Sequence, residues 1–297
     1  NGGKVITTFG SSDEEAEAVA LQGDGKIVAA GYASVGGGSV FAIARYNADG
    51  TLDTSFGTGG RVTAQLDNFG QQINAHAYAV AVQPDGKIVA AGTAFTGGSA
   101  DFIVVRYNSN GSLDASFSGN GWVMTDIDAG NDEAAAMALQ PDGKIVVAGS
   151  AFVGPYKDFA LARFNVDGSL DTSFGVGGKV TTPVGDEDDF ADAVAIQGDG
   201  KIVAAGVVYE PGLTGSNFAL ARYSANGTLD SSFDMDGVVT TSVAGAYSHA
   251  YALALAGNGQ IIAGGTAQMD GIDFALAQYN SDGSLDDTFG TGGKVVT

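Results

Sequence analysis

Three side chains with oxygen ligands, Asn47, Asp49 and Asp53, surround Gly50 in a short turn sequence. Carboxylate and amide oxygens are the ligands of hard cations, and a glycine at the sharp turn is typical of calcium loops. The arrangement recurs along the chain and keeps two acidic side chains at two other turns, formed by Asn165, Asp167 and Asp171 and by Asn280, Asp282 and Asp286. One interpretation of these nine residues is therefore a Ca²⁺ site at each of three turns.

A structural interpretation of the same turns competes with the calcium sites. The spacing does not match an EF-hand, which also needs a distant bidentate glutamate. The equivalent turns around Asn110 and Asn226 carry amides or serine in place of acids, which leaves little charge for a divalent cation. Asx turns, glycine at positive φ and an aspartate that caps a helical turn explain the same residues. Both interpretations stay open.

An arginine precedes the last aspartate of the turn in four copies: Arg45/Asp53, Arg106/Asp114, Arg163/Asp171 and Arg222/Asp230. The guanidinium fork matches a carboxylate well, so these residues are predicted to form structural ion pairs. The fifth copy keeps Asp286 but has Gln278 in place of the arginine, which predicts a weaker pairing there.

Acidic residues and both histidines lie at the start of alanine-rich segments: Asp13, Glu14 and Glu15; Asp132 and Glu133; Asp186, Glu187, Asp188 and Asp189; and His76 and His249 at equivalent positions. If these segments line an axis, the acids surround one mouth and attract cations; a solvated rim is the alternative. With two histidines, no cysteine and no recognisable motif, the chain has no signature of nucleophilic catalysis. The prediction is that it has no catalytic residues and is not an enzyme.

These features recur because the chain repeats itself five times, with alanine-rich segments at 15–22, 76–83, 133–140, 190–197 and 249–256. A period of about 57–61 residues is typical of a repeat architecture. Each copy is predicted to form four consecutive strands joined by tight turns, the first of which is an Asp-Gly turn. Four such strands are typical of one propeller blade. The sequence predicts an all-β, five-bladed β-propeller with four antiparallel strands per blade, spanning 1–297 as a single domain. A parallel β-helix is the alternative.

Six copies of the last strand of the repeat are present for five copies of the first strand. The surplus copy lies at one terminus, in 1–8 or 291–297. One interpretation is a fraying end. The other is that this strand is donated to the edge of a neighbouring subunit, which predicts self-association and, for head-to-tail contacts, filaments.

The chain carries a formal net charge of −21, and twelve of its 13 basic residues occupy repeat positions. Nucleic acids and anionic membranes both require clustered lysine and arginine, so neither is a predicted partner. No apolar run reaches the length of a membrane span, so no membrane insertion is predicted.

The strings at 44–62 and 23–31, from Ala44-Arg-Tyr-Asn to Gly-Arg-Val62 and from Gly23-Asp-Gly-Lys to Gly31, resemble the delta-60 repeat family of bacterial secreted β-propeller proteins. The fifth copy departs most, with Gln260 and Gln278 in place of the usual lysine and arginine. The resemblance implies an extracellular or cell-surface protein and supplies no catalytic residues, because that family has none established.

Together these features predict an extracellular, non-enzymatic structural or interaction protein, with a self-assembling subunit as the sharper form. A carbohydrate- or protein-binding adhesin module is the first alternative. It would use the variable loops at 153–158 and 209–215, where Tyr156 and Tyr209 could stack on sugar rings. A glycoside hydrolase comes third, since carboxylates are plentiful.

Overall fold

The computed structural model describes residues 2–10, 13–68, 71–209, 215–245 and 247–297, which form 22 β-strands and contain no helix. Twenty of the strands form five sheets of four antiparallel strands, and the remaining two form a small hairpin. These sheets confirm the predicted all-β, five-bladed propeller architecture. The described residues include no helix long and apolar enough to cross a bilayer.

Each blade takes its four strands in chain order, so that the alanine-rich first strand is one edge of the sheet and the short fourth strand is the other. Blade 1 contains β1 (Glu14–Leu21), β2 (Ile27–Val35), β3 (Gly38–Tyr46) and β4 (Arg61–Ala64). The hairpin of β5 (Asp67–Asn68) and β6 (Gln71–Gln72) follows. Blade 2 contains β7 (Asn74–Val82), β8 (Ile88–Thr96), β9 (Ser99–Tyr107) and β10 (Trp122–Thr125).

The other three blades have the same order. Blade 3 contains β11 (Asp132–Leu139), β12 (Ile145–Val153), β13 (Tyr156–Phe164) and β14 (Lys179–Thr182). Blade 4 contains β15 (Asp189–Ile196), β16 (Ile202–Tyr209), β17 (Ser216–Tyr223) and β18 (Val238–Thr241). Blade 5 contains β19 (Ser248–Leu255), β20 (Ile261–Gln268), β21 (Ile272–Tyr279) and β22 (Lys294–Val296).

The Asp-Gly turns close the first hairpin of the blades. In blade 1, Gln22 N donates to Lys26 O at 2.8 Å, and Gly25 adopts a φ of 84°. The Asp24 carboxylate accepts a hydrogen bond from Lys26 N at 3.1 Å. The turn therefore needs a glycine for the left-handed backbone and an aspartate to hold the next strand in place.

A β-bulge interrupts the first strand of four blades, at the residues Glu17, Tyr78, Asp192 and Tyr251. Opposite each bulge the second strand has a glycine. A Cβ on Gly206 would lie 1.8 Å from the carbonyl oxygen of Phe190, and one on Gly92 would lie 1.9 Å from that of His76. No side chain fits there, so glycine is required. The bulge changes the direction in which the side chain of the extra residue points, and bulges are common near functional sites.

The chain forms two compact units, 1–126 with 131–134 and 166–169, and 127–130 with 135–165 and 170–297. The core of unit 1 contains fully buried Phe41, Ile43, Phe56, Ile103 and Tyr107. The cores of unit 2 repeat the same positions with Phe159, Leu161, Phe174, Phe218, Leu220, Phe233 and Tyr279. Large side chains from strand and turn interleave with alanines of the neighbouring strands, which gives the close packing of a protein interior.

The N-terminal segment lies on blade 1 in the manner of a fourth strand. Tyr46 Oη donates to Thr7 Oγ1 at 2.8 Å, as Tyr279 Oη donates to Thr241 Oγ1 of β18 at 3.0 Å. Arg61 donates to Thr8 O, as Lys294 Nζ donates to Ser242 O. At the other terminus, β22 pairs with β21 as the fourth strand of blade 5.

Candidate functional site

The last aspartate of the turn is the centre of a charged cluster in blades 1 to 4. Asp53 Oδ2 accepts from Arg45 Nε at 2.8 Å and from Lys26 Nζ at 3.1 Å, and its Oδ1 accepts from Ser55 Oγ at 2.6 Å. The hydrogen bond from Ser55, together with Lys26 and Arg45, holds the pKa of Asp53 well below its usual range, although burial acts in the opposite direction. The predicted Arg–Asp pairs are thus present, with a lysine as a third member.

The arginine of this cluster also ties one blade to the next. Arg45 Nη1 donates to Ser109 O at 2.6 Å, in the turn of blade 2, and its guanidinium lies 4.5 Å from the centre of the Phe56 ring. Arg222 makes the same contacts with Ser281 O at 2.6 Å and with the Phe233 ring at 4.5 Å. A single side chain thereby satisfies a carboxylate, a backbone carbonyl and an aromatic face.

The remaining residues of the calcium hypothesis hydrogen-bond within their turns. Asp49 Oδ1 accepts from Thr51 N at 2.9 Å and from Thr51 Oγ1 at 2.6 Å, and Asn47 Nδ2 donates to Thr51 Oγ1 at 3.0 Å. The third and fifth turns repeat this with Asp167 and Ser169 and with Asp282 and Ser284. Asp171 pairs with Arg163 and Lys144, and Asn165 and Asn280 donate to Leu170 O and Leu285 O. The structure thus gathers these nine residues in three turns, and Ca²⁺ at them stays a prediction.

Blade 5 builds the same cluster without cations. Gln260 Nε2 and Gln278 Nε2 donate to Asp286 Oδ2 at 2.6 and 2.8 Å, at the positions that lysine and arginine occupy elsewhere. The two substitutions that set this repeat apart in sequence, Gln260 and Gln278, therefore act on the same carboxylate oxygen.

In unit 1 an aromatic cluster surrounds His76. Its ring stacks on Tyr32 with centroids 4.1 Å apart and an interplanar angle of 11°, and Phe95 meets it edge-on. His76 Nε2 lies 2.9 Å from Ser39 Oγ, and Tyr32 Oη donates to Glu15 Oε2 at 3.1 Å. Burial lowers the pKa of His76, and the charge of Glu15 opposes this only partly. A neutral imidazole at neutral pH follows.

The equivalent histidine of unit 2 has a different partner. His249 Nε2 lies 2.6 Å from Asp192 Oδ2, and the imidazole stacks on Tyr251 with centroids 4.1 Å apart. Both Asp192 and Tyr251 are the bulged residues of their strands. The bulge therefore places the partners of this histidine.

Unit 2 also has an open cleft of about 310 Å³, lined by Tyr156, Glu187, Asp188, Phe190 and Tyr209. We call it the aromatic cleft. The rings of Phe190 and Tyr209 meet edge-on at 6.3 Å. Tyr156 and Tyr209, whose rings the sequence suggested for sugar stacking, thus line one cleft. Residues 210–214 of the variable loop that begins at Tyr209 lie outside the described residues.

Lys157 borders the aromatic cleft. Its Nζ lies 5.1 Å from the centre of the Phe190 ring, and its backbone N donates to Asp188 Oδ1 at 2.8 Å. A larger cavity of about 750 Å³ around Lys201 and Arg222 is lined by the charged cluster of blade 4 and carries no aromatic side chain. Sequence reasoning missed both Phe190 and Lys157. Phe190 stands where the other repeats have glutamate or histidine, and that departure is the signal that could have found it.

Sequence comparison assigns the chain to a family. The model of the domain of unknown function DUF5122, a β-propeller repeat, matches residues 22–56, 83–117, 140–174, 197–233 and 256–289. The chain belongs to the DUF5122 β-propeller family. The five matches confirm the coarser prediction of a propeller repeat family. No curated protein sequence matches the chain significantly.

The chain was also compared with solved structures. An ulvan lyase of polysaccharide lyase family PL25, bound to -[GlcA(1-4)Rha3S]-, has a TM-score of 0.52 at 13% identity, over 90% of this DUF5122 chain and 68% of that chain. Sqt1 from Chaetomium thermophilum has a TM-score of 0.41 at 14% identity, over 93% and 72%. The xylosidase/arabinofuranosidase CoXyl43, from a compost microbial metagenome, has a TM-score of 0.39 at 11% identity, over 94% and 88%.

The prediction that this DUF5122 protein is not an enzyme is wrong, because neither a propeller fold nor the missing motifs exclude an enzyme. The ulvan lyase has a similar fold and is an enzyme. Function resides in sites carried by a fold, and one missing motif excludes one chemistry only. At 13% identity the likeness shows the fold alone, so it assigns no reaction to this chain.

Proposed function

We propose that this protein binds a neutral carbohydrate at the aromatic cleft. The observation that carries the proposal is the convergence of Tyr156, Phe190 and Tyr209 with the carboxylates of Glu187 and Asp188 around one open depression. Aromatic rings offer apolar faces to the C–H faces of sugar rings. Ionised carboxylates accept strong hydrogen bonds from hydroxyl groups.

The charge of the protein supports a neutral rather than an anionic ligand. The chain carries a net charge of −21, and two of the five residues that line the cleft are acidic. A polyanionic glycan would approach against this field, whereas a neutral glycan meets no such repulsion. The ulvan lyase with bound saccharide supports the wider idea, by analogy of fold, that a propeller can present a carbohydrate site.

The test is binding of neutral and anionic polysaccharides by affinity electrophoresis and calorimetry. Tyr156→Ala and Tyr209→Ala are each expected to weaken binding of a neutral glycan about tenfold, the loss of one stacking contact of ~1.4 kcal/mol. Val176→Ala is the control, since Val176 is exposed on a turn outside the cleft. No binding to any neutral glycan, or equal binding by all variants, would refute the proposal.

Turnover is measured in the same samples, from the release of reducing ends and of unsaturated sugars. Binding without turnover assigns the cleft to recognition, and product formation assigns it to catalysis. The His249–Asp192 pair, 2.6 Å apart, is the group to replace if product forms.

A second candidate is self-association, which one observation favours. The side chain of Phe274 in β21 is 80% exposed, whereas the equivalent Phe41, Phe102, Phe159 and Phe218 are fully buried. In blade 4, Phe218 belongs to a core that includes Ala250 of blade 5. A second copy of this chain is the proposed occupant of the face around Phe274, through a contact of the kind that joins successive blades.

We also propose that the protein belongs to the delta-60 group, that it is extracellular or located at the cell surface, that its variable loops bind a protein ligand, and that the three turns bind Ca²⁺. Nucleic acids and membrane insertion are still not predicted. Fractionation of the source cells, with the protein detected by antibody, tests the location.

A further inference from the structure

Two carboxyl groups occur at the same pair of positions in successive blades. The residue before the buried phenylalanine of the third strand is Asp101 in β9 and Asp158 in β13. Directly before the alanine-rich segments 133–140 and 190–197 stand Asp132 in β11 and Asp189 in β15. The same positions hold Val40 and Ala75 in blades 1 and 2, and Asn217 and Ser248 in blades 4 and 5. Since neutral pairs serve at two interfaces, the fold itself does not require acids there.

In unit 1 three carboxylates converge. Oxygen atoms of Asp101, Asp126 and Asp132 all lie within 4.8 Å of one another, and Asp101 and Asp132 are buried while Asp126 reaches solvent. Thr96 Oγ1 donates to Asp101 Oδ2 at 3.3 Å. Two of these three carboxylates are buried, and like charges at this distance repel one another.

In unit 2 the equivalent carboxyl group is only half satisfied. Asp189 is fully buried, and its Oδ2 accepts both Val184 N at 2.7 Å and Gly185 N at 2.8 Å. Its Oδ1 is also buried and has no hydrogen-bond donor among the described residues. Asp158 is 7% exposed and is one of the charges that act on Asp189. A buried acceptor without a donor is costly, and a bound ligand would remove that cost.

We propose that a small hard cation of the Ca²⁺ class binds at Asp101, Asp126 and Asp132, and a second one at the equivalent Asp158 and Asp189. Carboxylate oxygens are the preferred ligands of such cations. Each cation would neutralise a like-charged cluster and join the third strand of one blade to the first strand of the next. The proposal goes beyond carbohydrate binding, because neither Asp158 nor Asp189 lines the aromatic cleft, although Asp189 stands between Asp188 and Phe190, which do.

The test is calorimetric titration of the metal-stripped protein with CaCl₂, together with its melting temperature with and without Ca²⁺. In an Asp49→Asn/Asp167→Asn/Asp282→Asn background, which removes the candidate turn sites, two sites with a Kd of about 10⁻⁴ to 10⁻³ M are expected, the range of extracellular calcium modules. Asp101→Asn is expected to abolish the first site and Asp158→Asn the second. The matched control is Asp273→Asn, at the same position of blade 5, which should leave both sites intact.

Asparagine keeps the shape of aspartate and removes one like charge, so the variants are expected to fold at least as well as the wild type without Ca²⁺. Circular dichroism checks this. A melting temperature unchanged by Ca²⁺, or two sites retained in the Asp101→Asn/Asp158→Asn double variant, would overturn the proposal. The same holds if the sites disappear instead from a triple Asp49→Asn/Asp167→Asn/Asp282→Asn variant, since the bound Ca²⁺ would then belong to the turns.

Discussion

At the scale of single residues, the charged clusters of the turns each hold one buried carboxylate with several donors. Asp230 accepts from Arg222 Nε at 2.8 Å, Lys201 Nζ at 3.3 Å and Ser232 Oγ at 2.7 Å. Burial acts to raise the pKa of Asp230, but these donors outweigh it and lower the pKa to about 2. The ionised form is thus held by several donors at once, and the loss of Arg222 removes the shorter of its two ion-pair contacts from a buried carboxylate.

Replacement of Arg222 by alanine is therefore expected to lower the free energy of unfolding by about 3–5 kcal/mol, as for a broken buried pair. Gln278→Ala, at the same position of blade 5, removes only a neutral donor and is expected to cost about 1 kcal/mol. Urea unfolding measures both. Equal losses in the two variants would show that the charge of the arginine adds nothing.

The neutral cluster of blade 5 can be transferred to blade 4. A Lys201→Gln/Arg222→Gln double variant reproduces the pair Gln260 and Gln278 in blade 4. It is expected to be more stable than Arg222→Ala, because both amides can donate to Asp230 as they do to Asp286.

At the scale of elements, the bulge of the first strand positions the functional side chains. Gly206 of β16 lies against the carbonyl of Phe190, and the bulged residue Asp192 reaches His249. A glycine in β16 thus determines where an aromatic residue and a carboxylate of the paired strand β15 lie. The repeated glycine at this position of the second strand is the local cause of the geometry.

Gly206→Ala is expected to destabilise the protein by at least about 2 kcal/mol, since its Cβ would overlap a backbone oxygen. Binding to the aromatic cleft should weaken as Phe190 is displaced. Gly198→Ala is the matched control, because a Cβ there meets nothing within 4 Å and the backbone is not left-handed. Thermal unfolding and glycan binding are the measurements. Indistinguishable variants would mean that the strands shift to accommodate the new methyl group.

At the scale of the whole molecule, repetition makes each blade depend on a neighbour. Arginine contacts, backbone contacts such as Gly175 N to Asn226 O at 2.8 Å, and buried phenylalanines recur from one blade to the next. The face of blade 5 with Phe274 and Leu276 is more exposed than the equivalent faces of the other blades. An exposed apolar face of this kind is typical of an interaction surface.

If a second copy covers this face, the protein will self-associate as its concentration rises, and Phe274→Ser will shift it towards the monomer. Burial of a phenylalanine contributes about 1.5–3 kcal/mol, so the dissociation constant should rise at least about tenfold. Phe95→Ser is the control, as Phe95 is a partly exposed aromatic residue of unit 1. Sedimentation velocity is the measurement. A wild-type protein that stays monomeric at all concentrations contradicts the proposal.

The sequence by itself determined the strands, their order in each blade, the turns and the Arg–Asp pairs. These features are local: a tight turn, an alternation of side chains and a pair eight residues apart depend on neighbours within one repeat, and five copies made each pattern visible. It also named Tyr156 and Tyr209, because departures from the repeat stand out against it.

Only the tertiary structure decided which of the residues that depart from the repeat pattern lie close together. The convergence of Tyr156, Phe190 and Tyr209, the three-carboxylate cluster and the exposure of Phe274 depend on contacts between blades. Those contacts are set by the register of each sheet and by a bulge that shifts one side chain, and neither follows from side-chain pattern alone. The prediction of a non-enzyme failed for a related reason, since a missing motif says nothing about groups that folding brings together from separate strands.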